Sequence, residues 1–231
     1  MVPRKTPDPD GWRAVCEGGA ASQKQTAESA FGKEKTEGMK MPRSREQNEK
    51  IREEAKTKIL QKSVAFFAKN GVEGTKISGL TKGIGISQGA LYVYYNTKEE
   101  VYDAVVEFAK EKIASEELLA IEEKDVPAVR KLRYVSDYIL KKLSDEKLFC
   151  SYLLLALKDR AEGRSHDEDA LFLMMKNIIK EGQKDGSFAK GNAEKTADYF
   201  LSVLYIFCVK KINDPSCVLL TSSELERVVR G

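Results

Sequence analysis

The sequence predicts an all-α chain: an N-terminal three-helix helix-turn-helix domain followed by a larger helical domain. Three observations predict it. From Ile51 onward apolar residues recur at three- and four-residue spacing in one segment after another, the period of a helix with one buried face. Hydroxyl residues stand at the starts of several of these segments and glycines near their ends, which is how helices begin and stop. Between Glu73 and Glu99 there is no acidic residue, and inside that stretch two brief apolar runs meet at a glycine-rich corner.

Residues 1–42 contain Pro3, Pro7, Pro9 and Pro42, many Gly, Ser, Lys and Glu, and almost no apolar period. Too little apolar surface is available there to offset the entropy of ordering, so this extension is expected to be disordered. Met39 and Met41 directly precede the helical region, which leaves open an upstream start, a cloning remnant or a genuine tail. Pro42-Arg43-Ser44-Arg45 reads as a basic leader, either a solvated tail or an arm that reaches phosphate or the minor groove.

The first helix is expected from about Glu46 to Lys69, with Ile51, Ala55, Ile59, Leu60, Ser63, Val64, Phe66 and Phe67 on one face and Asn70-Gly71 closing it. Thr75 is expected to cap a second helix bearing Ile77, Leu80 and Ile84. Gly83 and Gly85 make the corner, Ser87 caps a third helix, and Thr97-x-x-Glu100 supplies a capping box for a fourth that runs to about Ile113. Gly79 and Gly83 each cost a helix roughly 0.5–1 kcal/mol relative to alanine, so the second helix is expected to depend on packing. The expected domains are 46–113, with the motif at about 76–95, and 114–231.

Two small helices at a tight corner form a helix-turn-helix, whose second helix is sized for the major groove of DNA. The span suits that partner. Its charged side chains are Lys76, Lys82 and Lys98, its hydroxyls include those of Tyr92, Tyr94 and Tyr95, and three helix N-termini crowd into it. Each N-terminus carries free N–H donors and a partial positive charge, so the surface is made to lie against phosphates.

Thr75-Lys76-Ile77, Leu80 to Ser87, Gly89-Ala90-Leu91-Tyr92-Val93-Tyr94-Tyr95 and Thr97-Lys98-Glu99-Glu100 together resemble the N-terminal domain of the TetR family of bacterial transcriptional regulators. The resemblance runs from about Ile51 to Ile113. It implies a helical homodimer that represses or regulates promoters at a palindromic operator and is released by a small effector. It also implies that the third helix presents Ser87, Gln88, Gly89, Ala90 and Tyr92 to the duplex. Gln88 is either a bidentate reader of adenine or a phosphate contact. Gly89 and Ala90 permit close approach, and Ala90 can touch a thymine methyl. Tyr92 and Tyr94 look like phosphate contacts, whereas Tyr95 falls where the family keeps a core phenylalanine. Lys98 resembles the family's phosphate-binding lysine, with an ordinary solvated lysine as the alternative. Thr75 and Lys76 are candidate backbone contacts, although for Thr75 a capping role suffices.

Beyond Ile113, helical periodicity marks Val126–Leu143, Glu146–Arg160, Asp167–Lys184, Ala193–Lys211 and a final segment from Ser222 or Ser223 to Arg230. Gly163, Gly182, Gly186 and Gly191 read as boundaries or bends. This half is expected to hold an effector of unknown identity and the dimer contacts. Tyr134, Tyr138, Phe149, Tyr152, Phe172, Met174 and Met175 are candidates to line a ligand cavity, and each has plain core packing as its alternative. The run Asp198 to Val209 is apolar nearly all round, so it is expected to be buried on more than one side, and a dimeric four-helix interface accounts for that. The Asp214-Pro215 break departs from the family's two long closing helices; the chain is either trimmed there or rests its interface on residues 193–211.

Composition excludes several classes. Net charge is only +3, so the partner signal lies in local clustering. Cys16, Cys150, Cys208 and Cys217 form no C-x-x-C pair and His166 is the single histidine, which argues against a disulfide scaffold or zinc site. Tyr199 to Val209 is too short to span a membrane, and a cytoplasmic protein without membrane partner, metal or cofactor is expected. With no G-x-S-x-G, P-loop or H-E-x-x-H pattern, no enzyme is expected. The alternative function is a helical ligand- or redox-sensing module, working through Cys150 or Cys208, that binds no promoter.

Overall fold

The computed structural model describes residues 44–163 and 169–230. The expected disorder of 1–42, Cys16 and His166 lie outside the described residues. Among those described are ten α-helices and no strand: α1 (Arg45–Asn70), α2 (Ile77–Ile84), α3 (Gln88–Tyr92), α4 (Lys98–Ile113), α5 (Glu116–Leu119), α6 (Ala128–Asp145), α7 (Phe149–Ala161), α8 (Ala170–Asp185), α9 (Ala193–Asn213) and α10 (Ser222–Arg230).

Ser44 belongs to the helix and not to a leader. Its hydroxyl accepts from the Gln47 N–H while the Gln47 side chain accepts from the Ser44 N–H, so two orphan donors are satisfied at once and α1 starts at Arg45. Ile59, Val64 and Phe67 of α1 then meet Leu80 and Ile84 of α2, Leu91 of α3, and Val101, Tyr102 and Val105 of α4 in one core. Phe67 and Tyr102 pack edge to face, with ring centroids 5.3 Å apart. Gly83 has a packing role besides its place near the corner: a Cβ there would stand 2.9 Å from the Phe66 ring.

The second half is built on α7, whose Leu153 to Leu157 are all buried. It packs against α1 and α4 on one side and α9 on another, so the N-terminal helices and the C-terminal helices share its surface. The expected helix starts at Val126 and Glu146 come later in the structure. Pro127 sets the first, because a residue before proline is driven out of helical conformation. Short α5, unexpected from periodicity, is announced by Ser115, whose hydroxyl accepts from the Leu118 N–H. Gly182 is neither boundary nor bend. It lies buried within α8, where a Cβ would stand 2.1 Å from a ring carbon of Phe188, so only glycine lets that phenylalanine cross the helix. The closing helix α10 lies on α6 and α9, with the buried carboxylate of Glu226 held between Arg133 and Arg230.

Candidate nucleic-acid interface and the cavity behind it

The corner between α2 and α3 is made by Gly85, at φ +74° and ψ 41°, whose N–H returns to the Thr81 carbonyl. Lys62 of α1 donates to the Ile84 carbonyl at 3.3 Å, placing a cation on the last turn of α2. Ser87 then caps α3 as expected, accepting from the Ala90 N–H at 3.1 Å. Leu91 is fully buried and anchors this five-residue helix. Its outer face carries Gln88 and Gly89, both exposed, and Tyr92, 51% exposed, with Ser87 exposed at the start and Ala90 half-buried.

Tyr94 is half-buried with the Arg52 guanidinium 5.8 Å from its ring centroid, and burial raises its phenol against the pull of Arg52. Tyr95 is a core residue, as expected. Its hydroxyl has no partner among the described residues, and burial pushes the phenol up to about 12.

Thr75 is a correction. It is buried and its hydroxyl donates backwards to the Gly71 carbonyl at 2.6 Å, closing the α1–α2 loop, while Lys76 occupies the N-cap position of α2 with no side-chain cap. The expected capping box at α4 is also only half present. Thr97 accepts from the Glu100 N–H, but the Glu100 carboxylate accepts from Asn96 N–H at 2.7 Å, one residue before the cap. Lys76 is exposed. Lys98 points its ammonium at the Val72 and Thr75 carbonyls, 3.1 and 3.4 Å away, with Glu99 at 3.8 Å.

The other end of α4 borders a cavity of about 220 Å³ between α4, α7, α8 and α9. Of the expected ligand residues only Phe172 lines it. Tyr134 is exposed on α6, Tyr138 exchanges a hydrogen bond with Ser115, Phe149, Met174 and Met175 are core, and Tyr152 packs edge-on against Phe108. Periodicity missed Lys110 and Arg160, which line the cavity from what reads as the polar face of their helices. Lys110 lies 3.1 Å from Glu107 and 3.3 Å from Asp169. Burial pulls its ammonium down, but hydrogen bonding to Glu107 and the charge of Asp169 outweigh this and leave it raised.

Cys150 donates to the Cys208 carbonyl at 3.6 Å in the core, and thiol-to-thiol hydrogen bonding with Cys150, together with burial, pushes the Cys208 thiol well up. Among the described residues no group of His, Cys, Asp and Glu could hold a metal ion, and no helix is long and apolar enough to cross a membrane.

An exposed short helix, capped and anchored behind a glycine corner, on an all-helical frame with a cavity at its back, defines a helix-turn-helix protein of the two-domain helical kind. Residues 59–105 match the domain described as bacterial regulatory proteins, tetR family. It is 35% identical over 52 residues to IcaR of Staphylococcus epidermidis, the negative transcriptional regulator of the biofilm operon icaADBC, a match covering 22% of this chain and 28% of that protein. The fold is similar to the MbdR regulator of Azoarcus sp. CIB, with a TM-score of 0.59 and 17% identity over 77% of this chain and 98% of that one. It is also similar to AibR in complex with isovaleryl coenzyme A and operator DNA, with a TM-score of 0.55 and 13% identity over 75% and 94% of the two chains.

Proposed function

We propose that this chain is a DNA-binding transcriptional regulator, a repressor, that binds a palindromic operator as a homodimer and is released by a small-molecule effector. The observation that carries this reading is the placement of α4. Its first turn holds the α1–α2 loop through Lys98, and its last turns, with Glu107, Lys110 and Ile113, wall the cavity. Twelve residues of helix separate Lys98 from Lys110, about 18 Å at 1.5 Å per residue, so a tilt imposed at the cavity arrives undiminished at the helix-turn-helix. In a dimer the two recognition helices would lie roughly 34–36 Å apart, one duplex turn. An effector that prefers another tilt changes that spacing and weakens DNA binding, with a coupling of about 1–3 kcal/mol, and operator DNA weakens effector binding by the same factor.

Support for the dimer comes from α9. Tyr199 and Ile206, 62% and 51% exposed, lie along one face of α9 with half-buried Val203 between them, a face left open among the described residues, while Phe200, Leu201 and Leu204 are buried behind it. An apolar stripe left open on an otherwise packed helix is an interface waiting for its symmetry mate. The AibR complex, with both an acyl-coenzyme A and operator DNA, supports the pairing of an effector site with a DNA site on this fold.

Genome-wide mapping of bound sites tests the proposal. Discrete peaks over palindromes upstream of genes are expected, and the neighbouring genes would indicate the effector. Diffuse occupancy without a shared sequence would favour a ligand- or redox-sensing module that binds no promoter.

A further inference from the structure

The cavity between α4, α7, α8 and α9 borders a cation whose hydrogen-bonding capacity is largely unused. Arg160, on the last turn of α7, has its guanidinium carbon 3.3 Å from the centroid of the Phe172 ring. Its Nη1 lies 3.5 Å from Asp198 of α9. Nε and Nη2, which form the opposite edge of the planar fork, are closed from solvent and have no acceptor among the described residues. Buried donors of this kind are rare, and a charged group desolvated without full pairing is rarer still. That edge is also the one a carboxylate meets with two parallel N–H···O bonds.

The remaining lining decides the class of guest. Ala156, Leu157 and Leu201 give an apolar wall. A volume of about 220 Å³ is below the roughly 300–1,000 Å³ of sites for drug-sized molecules, so the guest is small. Glu107 and Asp169 are both engaged by Lys110, and Glu111 is exposed at the edge. A cationic guest would need the face of Phe172, which Arg160 already covers.

We infer that the cavity takes a small apolar carboxylic acid, with its carboxylate on the Nε–Nη2 edge of Arg160 and its hydrocarbon against Leu157 and Leu201. This rests on the reading of the cavity as the effector site. Because the fork is closed from solvent, seating the anion draws the guanidinium away from Phe172 or Asp198. Asp198 directly precedes Tyr199 on the open stripe of α9, so the same shift reaches the proposed dimer contact.

Calorimetric titration of the full chain with octanoate, octanol and octylamine tests the inference, since the three share a tail and differ in the head group. Octanoate is expected to bind at least tenfold more tightly than either of the others. Arg160→Gln should abolish that preference while octanol binding persists, and Arg160→Lys, which keeps the charge but loses the planar fork, should restore only part of it. Equal affinity for acid and alcohol, preference for the amine, or no binding by any of the three would overturn it. The wild-type series decides this even where a variant misfolds. Binding to a selected DNA duplex is measured on the same samples: acid preference without DNA binding would sink the regulator and leave the acid site, and DNA binding without acid preference would do the reverse.

Discussion

The Lys98 ammonium donates to the Val72 carbonyl at 3.1 Å, which ties the first turn of α4 to the loop that launches the helix-turn-helix. A lysine expected either to hold phosphate or to be solvated is therefore a tether inside the domain. Lys98→Ala should lower stability by about 1 kcal/mol, less than the roughly 1.5–3 kcal/mol of a hydrogen bond to a charged group because the side chain is partly exposed. Thermal unfolding measures that. If the same ammonium also reaches phosphate, the slope of log affinity against log salt should fall by about one per protomer, and all sequences should weaken alike. Reduced stability with an unchanged slope would assign Lys98 to the tether alone.

Gln88 follows the Ser87 cap and is exposed in the first turn of α3, the part of a recognition helix that enters the groove first. A bidentate contact to adenine contributes about 1–3 kcal/mol of discrimination. Gln88→Ala should relax base preference at a symmetric pair of operator positions while general affinity falls much less. Site selection from a random pool with both proteins measures it, and an unchanged preference at every position would move the readout to Tyr92, Ala90 and DNA shape.

Ile206 stands half-exposed at the C-terminal end of the open stripe of α9. A twofold interface uses the same patch twice, so Ile206→Glu would place two carboxylates in one apolar contact. Sedimentation should show dimer affinity weakened roughly tenfold or more, equivalent to at least about 1.4 kcal/mol, with helicity and the unfolding of the monomer preserved. A variant that stays dimeric at the same concentrations would place the interface elsewhere.

Tyr95 offers a pH-dependent test of the core. Its phenol is pushed from 10.0 up to about 12 by burial, so the fold holds the neutral form. Between those values the unfolded chain loses this proton and the folded chain keeps it, which means stability falls as pH rises through that window. Tyr95→Phe removes the hydroxyl that has no partner and should raise stability by up to about 1 kcal/mol at neutral pH. It should also shrink the loss between pH 10 and 12, read as the difference between the two proteins in denaturant titrations.

What local chemistry decides was legible in the residues. The caps at Ser87 and Thr97 and the glycine corner depend on neighbours a few positions away, and they stand where spacing put them. Thr75 shows the limit, because a hydroxyl before an apolar run fits both an N-cap and a loop closure. Burial against the rest of the domain turned it back to Gly71. Arg160 shows a second limit. Helical period assigns it to a polar face, and only α8 laying Phe172 over it makes it a buried cation. Gly182 was read as a break for the same reason: nothing local announces that Phe188 returns to cross it.

If two copies of α3 read one duplex together, a footprint of the purified protein on its selected DNA will show it. Two protected major-groove segments related by a twofold axis are expected, with centres about 10–10.5 base pairs apart or a multiple of that, and both lost together in Ile206→Glu. A single protected segment, or uniform protection along the duplex at concentrations where the protein is dimeric, would contradict it.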